Sequence, residues 1–269
     1  MDITSILYPA AAISGLGLVF GAGLGFAAQK FAVEVDEKVE MILEKLPGAN
    51  CGGCGYAGCE AFANAVAEGQ IEPSCCFVND AESTKAIGSI LGKEVKVLER
   101  QRAMVACRGT DENAKEKNLY YGITDCRDAA LIPGGGSKSC SYGCLGLGSC
   151  VEVCVFGAMS IKDGVAVVDP EKCTACGTCV RTCPKHIIHL IPAKSTYHVN
   201  CMSEDKGKDA KSNCKVACIG CGICVRNCEA KAITMKNKVA CIDNNICVDC
   251  GVCEEKCPTK AITQIKSVG

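Results

Sequence analysis

The residues most able to do chemistry in this chain are its cysteines, 26 among 269 residues. They fall in runs with gaps of two or three residues, too close in sequence to staple distant parts of a fold. Such spacing suits thiolates that converge on a metal centre. The compartment is expected to be reducing, because thiols that bind metal must stay free of disulfides.

Most of the cysteines belong to an internal duplication. Cys140, Cys144, Cys150 and Cys154 recur 74 residues later as Cys214, Cys218, Cys224 and Cys228, and Cys173, Cys176, Cys179 and Cys183 recur as Cys247, Cys250, Cys253 and Cys257. Each copy matches the two-cluster pattern C-x2-C-x2-C-x3-C-P, in which the fourth cysteine of one run ligates the other cluster. In the second copy, Cys218, Cys221, Cys224 and Cys257 are expected to hold one [4Fe–4S] cluster, and Cys247, Cys250, Cys253 and Cys228 its neighbour. In the first copy, Cys173, Cys176, Cys179 and Cys154 form one site. The remaining site departs from the pattern, because Leu147 stands where the second copy has Cys221. Cys144, Cys150 and Cys183 then lack a fourth ligand. Cys140 is the expected replacement, although its counterpart Cys214 lies in a copy with no vacancy. A three-ligand [3Fe–4S] cluster is the alternative.

Upstream lies Cys51-Gly-Gly-Cys54-Gly-Tyr-Ala-Gly-Cys59, followed by Cys75 and Cys76. The glycines let the backbone fold tightly around an inorganic core. Cys51, Cys54 and Cys59 supply three thiolates for a further [4Fe–4S] cluster, and spacing alone leaves the fourth open between Cys75 and Cys76. A structural zinc site is the bland alternative; zinc knuckles seldom use this glycine pattern. Six cysteines stay unassigned: Cys75, Cys107, Cys126, Cys201, Cys214 and Cys241. Cys241 aligns with Val167 and reads as a small buried hydrophobe. Cys107 and Cys201 each follow a Val-x pair ahead of a module. Cys201 with Cys214, and Cys107 with Cys126, are open as buried thiols or an extra metal site.

Other chemistries find little support. His186, His189 and His198 are scattered, and no phosphate-binding glycine loop of the G-x-G-x-x-G or G-x-x-x-x-G-K type occurs. A formal net charge of −1, no tryptophan and 4% aromatic residues exclude the electrostatic footprint and stacking platforms of a nucleic-acid binder.

The elements that must position these thiols are short. Val35, Val39, Ile42 and Leu46 recur at helical spacing and predict a helix over 31–46, ended by Pro47-Gly48. A second helix is expected over 60–68. Within each copy the two cysteine runs are separated by a strand (Ala158-Met-Ser-Ile161 or Ala232-Ile-Thr-Met235), a turn and a second strand. Gly134 to Gly136, between Pro133 and Ser137, reads as a linker. Residues 6–28 carry no charge and are long enough to cross a bilayer as a helix. A cleaved signal is disfavoured by the absence of a positive n-region. Lys30 and Lys38 follow the run and no Lys or Arg precedes it, so the cysteine-rich part is expected on the cytoplasmic side. Gly17, Gly21 and Gly25 share one helical face and suit a membrane partner helix.

With these residues in hand, the chain closely resembles the iron–sulfur B subunits of the Rnf complex, the membrane-bound, ion-translocating ferredoxin:NAD oxidoreductase. The resemblance rests on the N-terminal apolar helix, the Leu46-Pro-Gly-Ala-Asn-Cys51-Gly-Gly-Cys54-Gly-Tyr-Ala-Gly-Cys59 motif, and the ferredoxin runs behind it. The Ser141-Tyr-Gly-Cys144-Leu-Gly-Leu-Gly-Ser-Cys150 stretch looks like the longer clostridial type. In that family sixteen residues separate the third and fourth cysteines of the first motif, which makes the fourth Cys76. The resemblance implies a translocase component that takes electrons from soluble reduced ferredoxin and passes them to membrane subunits of the same complex.

The expected architecture is therefore α+β, with a single transmembrane helix (1–30), a small helical [4Fe–4S] domain (31–95), a connecting segment (96–139) and two ferredoxin-like modules (140–195 and 196–269). About five clusters are expected, with no acid, base or nucleophile doing catalysis. A polyferredoxin component of a formate dehydrogenase or hydrogenase is the competing reading, disfavoured by the Cys51–Cys76 motif. A membrane-tethered zinc-ribbon module is another.

Overall fold

The computed structural model describes residues 4–30 and 36–265. Its first element is helix α1, Thr4–Lys30. Among the described residues no helix is long and apolar enough to cross a membrane, so the expected span over 6–28 is not met there.

A small helical domain follows. The helix expected over 31–46 is seen as α2, Glu37–Glu44; residues 31–35 lie outside the described residues. Asp36 caps α2, accepting from the Lys38 amide at 2.9 Å. Next come α3, Cys59–Ala67, and α4, Ala81–Leu91. Val39, Ile42 and Leu46 recur at three- and four-residue steps and so face one way. They pack against Phe62, Ala63, Val66 and Ile87 in a buried hydrocarbon core. Phe62 is 1% exposed and meets Tyr56 edge-on at 5.8 Å, a burial that contributes about 2–3 kcal/mol.

The remainder is built from four antiparallel ribbons. In the first module β1 (Gln101–Val105) precedes α5 (Cys126–Leu131), α6 (Ser149–Glu152), β2 (Met159–Lys162), β3 (Val165–Val168), α7 (Thr178–Thr182) and β4 (Ile188–Pro192). In the second, β5 (Tyr197–Val199) and α8 (Gly207–Asn213) precede α9 (Ile223–Arg226), β6 (Ile233–Lys236), β7 (Val239–Ile242), α10 (Val252–Glu255) and β8 (Ile262–Gln264). The expected strand–turn–strand units are β2–β3 and β6–β7. Strands β1 and β5 are additions that the sequence pattern does not announce. The first lies inside the segment expected to be a connector, yet it pairs along its length with β4. In the same way β5 pairs with β8. Each module is thus two ribbons face to face, with β1 packed on β3 and β5 on β7.

Candidate metal centres

Each of the four ferredoxin-type runs presents the cysteine at its third ligand position from a one-turn helix. A glycine in the left-handed region precedes each of these helices: Gly148, Gly177, Gly222 and Gly251, with φ between 66° and 91°. This conformation is open to glycine without steric cost. It reverses the chain between the second and third ligands. Cys150, Cys179, Cys224 and Cys253 are buried in consequence.

The sulfurs ring voids rather than meeting at a point. Among the described residues, no three His, Cys, Asp or Glu groups converge closely enough to hold a single metal ion. Instead, pockets are lined by cysteines in sets. One is lined by Cys51, Cys54, Cys59 and Cys76, together with Cys176 from the first module. Cys75 does not line it. Asn50 fixes the last of the run, its side-chain oxygen accepting from the Cys59 amide at 2.8 Å. A second is lined by Cys218, Cys221, Cys224 and Cys257.

The two other regular sets also gather. Cys179 is pushed up to about 12 by burial and then by Cys173, Cys176 and Cys154 around it. Cys253 is pushed up to about 11 by burial and, after that, by Cys247 and Cys250. Cys228 acts in turn on Cys247. Buried thiols that raise one another in this way are neutral without a cation, so binding a metal core must release their protons.

The irregular site of the first module is completed differently from the expectation. Cys144, Cys150 and Cys183 line one pocket, and the fourth cysteine there is Cys126, not Cys140. Burial and then Cys144, Cys126 and Cys183 push Cys150 to about 12. Cys126 arrives on α5, a helix capped by Asp125, which accepts from the Arg127 and Asp128 amides at 2.7 and 3.2 Å. The Cys126 amide donates to Ser149 Oγ at 2.6 Å, which ties α5 to the start of α6. Cys140 is held away from this set, in another cavity with Cys107. Sequence spacing misses Cys126 because its place in this set depends on a helix folding back from outside the repeat. The Leu147 vacancy is the one available signal.

Amide hydrogens point at the sulfurs throughout. Ala103 donates to Cys173 and Ala158 to Cys154, each at 3.3 Å, Ala166 to Cys144 at 3.5 Å and Ala261 to Cys257 at 3.3 Å. Hydrogen bonds to sulfur are one of the means by which a protein tunes cluster potential. An all-sulfur donor set around a shared pocket, with amides aimed at the sulfurs, fits a [4Fe–4S] core in donor chemistry and number.

This fold and these sites define an iron–sulfur electron carrier of the ferredoxin type. Family comparisons agree: an Fe–S cluster family matches residues 46–78, a 4Fe-4S binding domain residues 166–189 and a 4Fe-4S dicluster domain residues 217–261. The chain is 47% identical, over 90% of its length and 72% of the relative's, to the B subunit of the Na(+)-translocating ferredoxin:NAD(+) oxidoreductase complex of Acetobacterium woodii. It is 41% identical to the B subunit of the ion-translocating oxidoreductase complex of Methanosarcina acetivorans, over 87% of this chain and 88% of that one. The corresponding B subunit of the proton-translocating complex of Clostridium ljungdahlii is also 41% identical, over 86% and 82%. The chain belongs to the family of B subunits of Rnf-type ion-translocating oxidoreductase complexes. It is an electron-transfer component carrying several 4Fe-4S clusters.

Proposed function

We propose that this protein accepts electrons one at a time from soluble reduced ferredoxin and delivers them, through clusters held by its cysteine sets, to membrane subunits of an ion-translocating ferredoxin:NAD oxidoreductase complex. The observation that carries the reading is the grouping of cysteines from separate runs around shared pockets. The ligand sets are Cys51/Cys54/Cys59/Cys76, Cys126/Cys144/Cys150/Cys183, Cys154/Cys173/Cys176/Cys179, Cys218/Cys221/Cys224/Cys257 and Cys228/Cys247/Cys250/Cys253. A bound cluster supplies reversible one-electron chemistry; the chain's own residues hold its irons, exclude water and aim amides at its sulfurs.

The N-terminal set sits against the first module. A β-carbon added at Gly53 would come within 2.6 Å of the Cys176 carbonyl oxygen, so the loop holding Cys51 and Cys54 packs directly on the loop holding Cys176. That contact supports the small helical domain as the exit toward the membrane and the modules as the entry from ferredoxin.

Helix α1 is proposed as the membrane anchor, with the cysteine-rich part on the cytoplasmic face. Its described apolar side chains, among them Ile13, Leu16, Leu18, Val19, Phe20, Leu24 and Phe26, are exposed on all sides, and among the described residues nothing packs at Gly17, Gly21 or Gly25. A helix apolar all round without a protein partner suits lipid and neighbouring membrane helices. Deleting residues 1–30 should release a soluble brown protein with unchanged iron. A truncated chain that still sediments with membranes in the absence of its partners would refute the anchor. Rapid mixing of the anaerobic complex with reduced ferredoxin tests the main proposal. Cluster reduction should precede reduction of NAD, and a complex whose NAD is reduced while these clusters stay oxidised would defeat it.

A further inference from the structure

Four cysteines that neither ferredoxin pattern claims come together at the seam between the modules. We propose that Cys107, Cys140, Cys201 and Cys214 hold a sixth [4Fe–4S] cluster, and that this cluster joins the two modules' cluster pairs into one continuous relay. The inference rests on the iron–sulfur reading under Proposed function and adds a site to it.

The four line one pocket together. Their arrangement follows from the duplication. Cys107 lies two residues beyond β1 and Cys201 two residues beyond β5, and these strands are equivalent, each pairing with the last strand of its own module. Cys140 and Cys214 each lie four residues ahead of the first cysteine of their module, Cys144 and Cys218. Each copy thus contributes one matched pair, and the site forms only where the copies meet. Backbone contacts clamp that seam: the Lys115 amide donates to Asn213 O at 2.8 Å, and the Lys215 amide to Asn113 O at 2.9 Å.

Sulfur geometry matches that of the other sites. Gly109 and Cys144 amides donate to Cys107 Sγ at 3.4 Å, and the Ser203 amide to Cys201 Sγ at 3.5 Å. A β-carbon at Gly109 would lie 3.6 Å from Cys107 Sγ and 3.7 Å from Cys214 Sγ; one at Gly143 would lie 3.6 Å from Cys140 Sγ and 3.7 Å from Cys107 Sγ. Gly109 and Gly143 thus both flank Cys107 Sγ, the first with Cys214 Sγ and the second with Cys140 Sγ beside it. Lys138, 7% exposed, also lines the cavity and anchors its ammonium on Gly164 O at 2.6 Å. A buried cation there offsets part of the negative charge of four thiolates.

Position gives the site its use. The Cys144 amide bonds Cys107 Sγ, which puts the first module's irregular set on one side. Cys218 of the second module, whose amide and thiol both act on Cys201, stands on the other. Without a centre here, the two modules would carry separate cluster pairs with only protein between them.

The test is an iron, acid-labile sulfide and zinc determination on the full-length chain isolated without oxygen, with Mössbauer spectra of the same samples. About 24 iron and 24 sulfide per chain, four of each per cluster, are expected. Cys201→Ala and Cys214→Ala should each lower both by about four, whereas Cys75→Ala and Cys241→Ala should change neither. The wild-type count stands even if a variant fails to fold. About 20 iron and 20 sulfide in the wild type would overturn the sixth cluster alone, whether the four thiols are then free to alkylation or hold one zinc. Unchanged iron in both seam variants would overturn it too. A chain with no sulfide at all would instead overturn the iron–sulfur reading on which the inference rests.

Discussion

The two ferredoxin modules share strand order, helix order and cysteine register, yet they complete their first cluster differently. The second module takes all its ligands from its own two runs, with Cys221 in the ordinary place. The first has Leu147 there and draws Cys126 from a helix in the preceding segment. A ligand position can thus be relocated in the sequence while its place in the fold is kept, because a cluster requires four sulfurs around a void and is indifferent to the chain that brings them. The first module also holds α5 by the Cys126–Ser149 hydrogen bond.

Stripping the iron should have the largest effect. Cys144, Cys150, Cys173 and Cys179 are themselves part of the first module's core, and Cys224 and Cys253 of the second's. The small helical domain instead has a core of Val39, Ile42, Leu46, Phe62, Val66 and Ile87. Chelation under mild oxidation should therefore unfold both modules while α2 to α4 persist. Limited proteolysis or hydrogen exchange reads this, and modules as protected without iron as with it would remove metal from the account of their stability.

Next in size is the ligand swap. Cys126→Ser should cost about four iron per chain, or convert that cluster to a [3Fe–4S] form visible by EPR. Leu147→Cys in the same background should restore it by giving the first module the second module's arrangement. Failure of Cys126→Ser to alter iron or EPR would return the fourth-ligand role to another residue. Cys221→Ser should lose its cluster in the same manner, with no outside cysteine to rescue it.

A subtler change is Gly53→Val. The N-terminal cluster should stay in place, but the added carbons must push the loop off Cys176, so electron transfer from the first module to that cluster should slow by about tenfold or more. Equal rates would show that the contact is not on the path. Smallest of all, Cys75→Ala should leave the iron content unchanged whereas Cys76→Ala bleaches the N-terminal cluster, since only Cys76 lines that cavity.

Much of this was legible in the sequence because local spacing encodes it. Runs such as Cys247, Cys250 and Cys253 need only a glycine-led reversal to set three sulfurs around one pocket, and the β2–β3 and β6–β7 ribbons follow from a short turn between apolar strands. The misses all depend on non-local pairing. Gln101–Val105 reads poorly as a strand: it buries Arg102, whose guanidinium donates to Ser195 O at 2.8 Å. Without β1 and β5, nothing in the spacing brings Cys107 and Cys201 to the seam, and Cys140 looks available for the Leu147 vacancy. In the structure it faces its own duplicate instead.

Native mass spectrometry of the anaerobic full-length chain tests the central claim most directly. The excess over the apo mass should be six Fe4S4 units in the wild type, and in Cys126→Ser five, or five with one Fe3S4 unit. An excess accounted for by zinc ions, or a mass equal to that of the bare polypeptide, would contradict it.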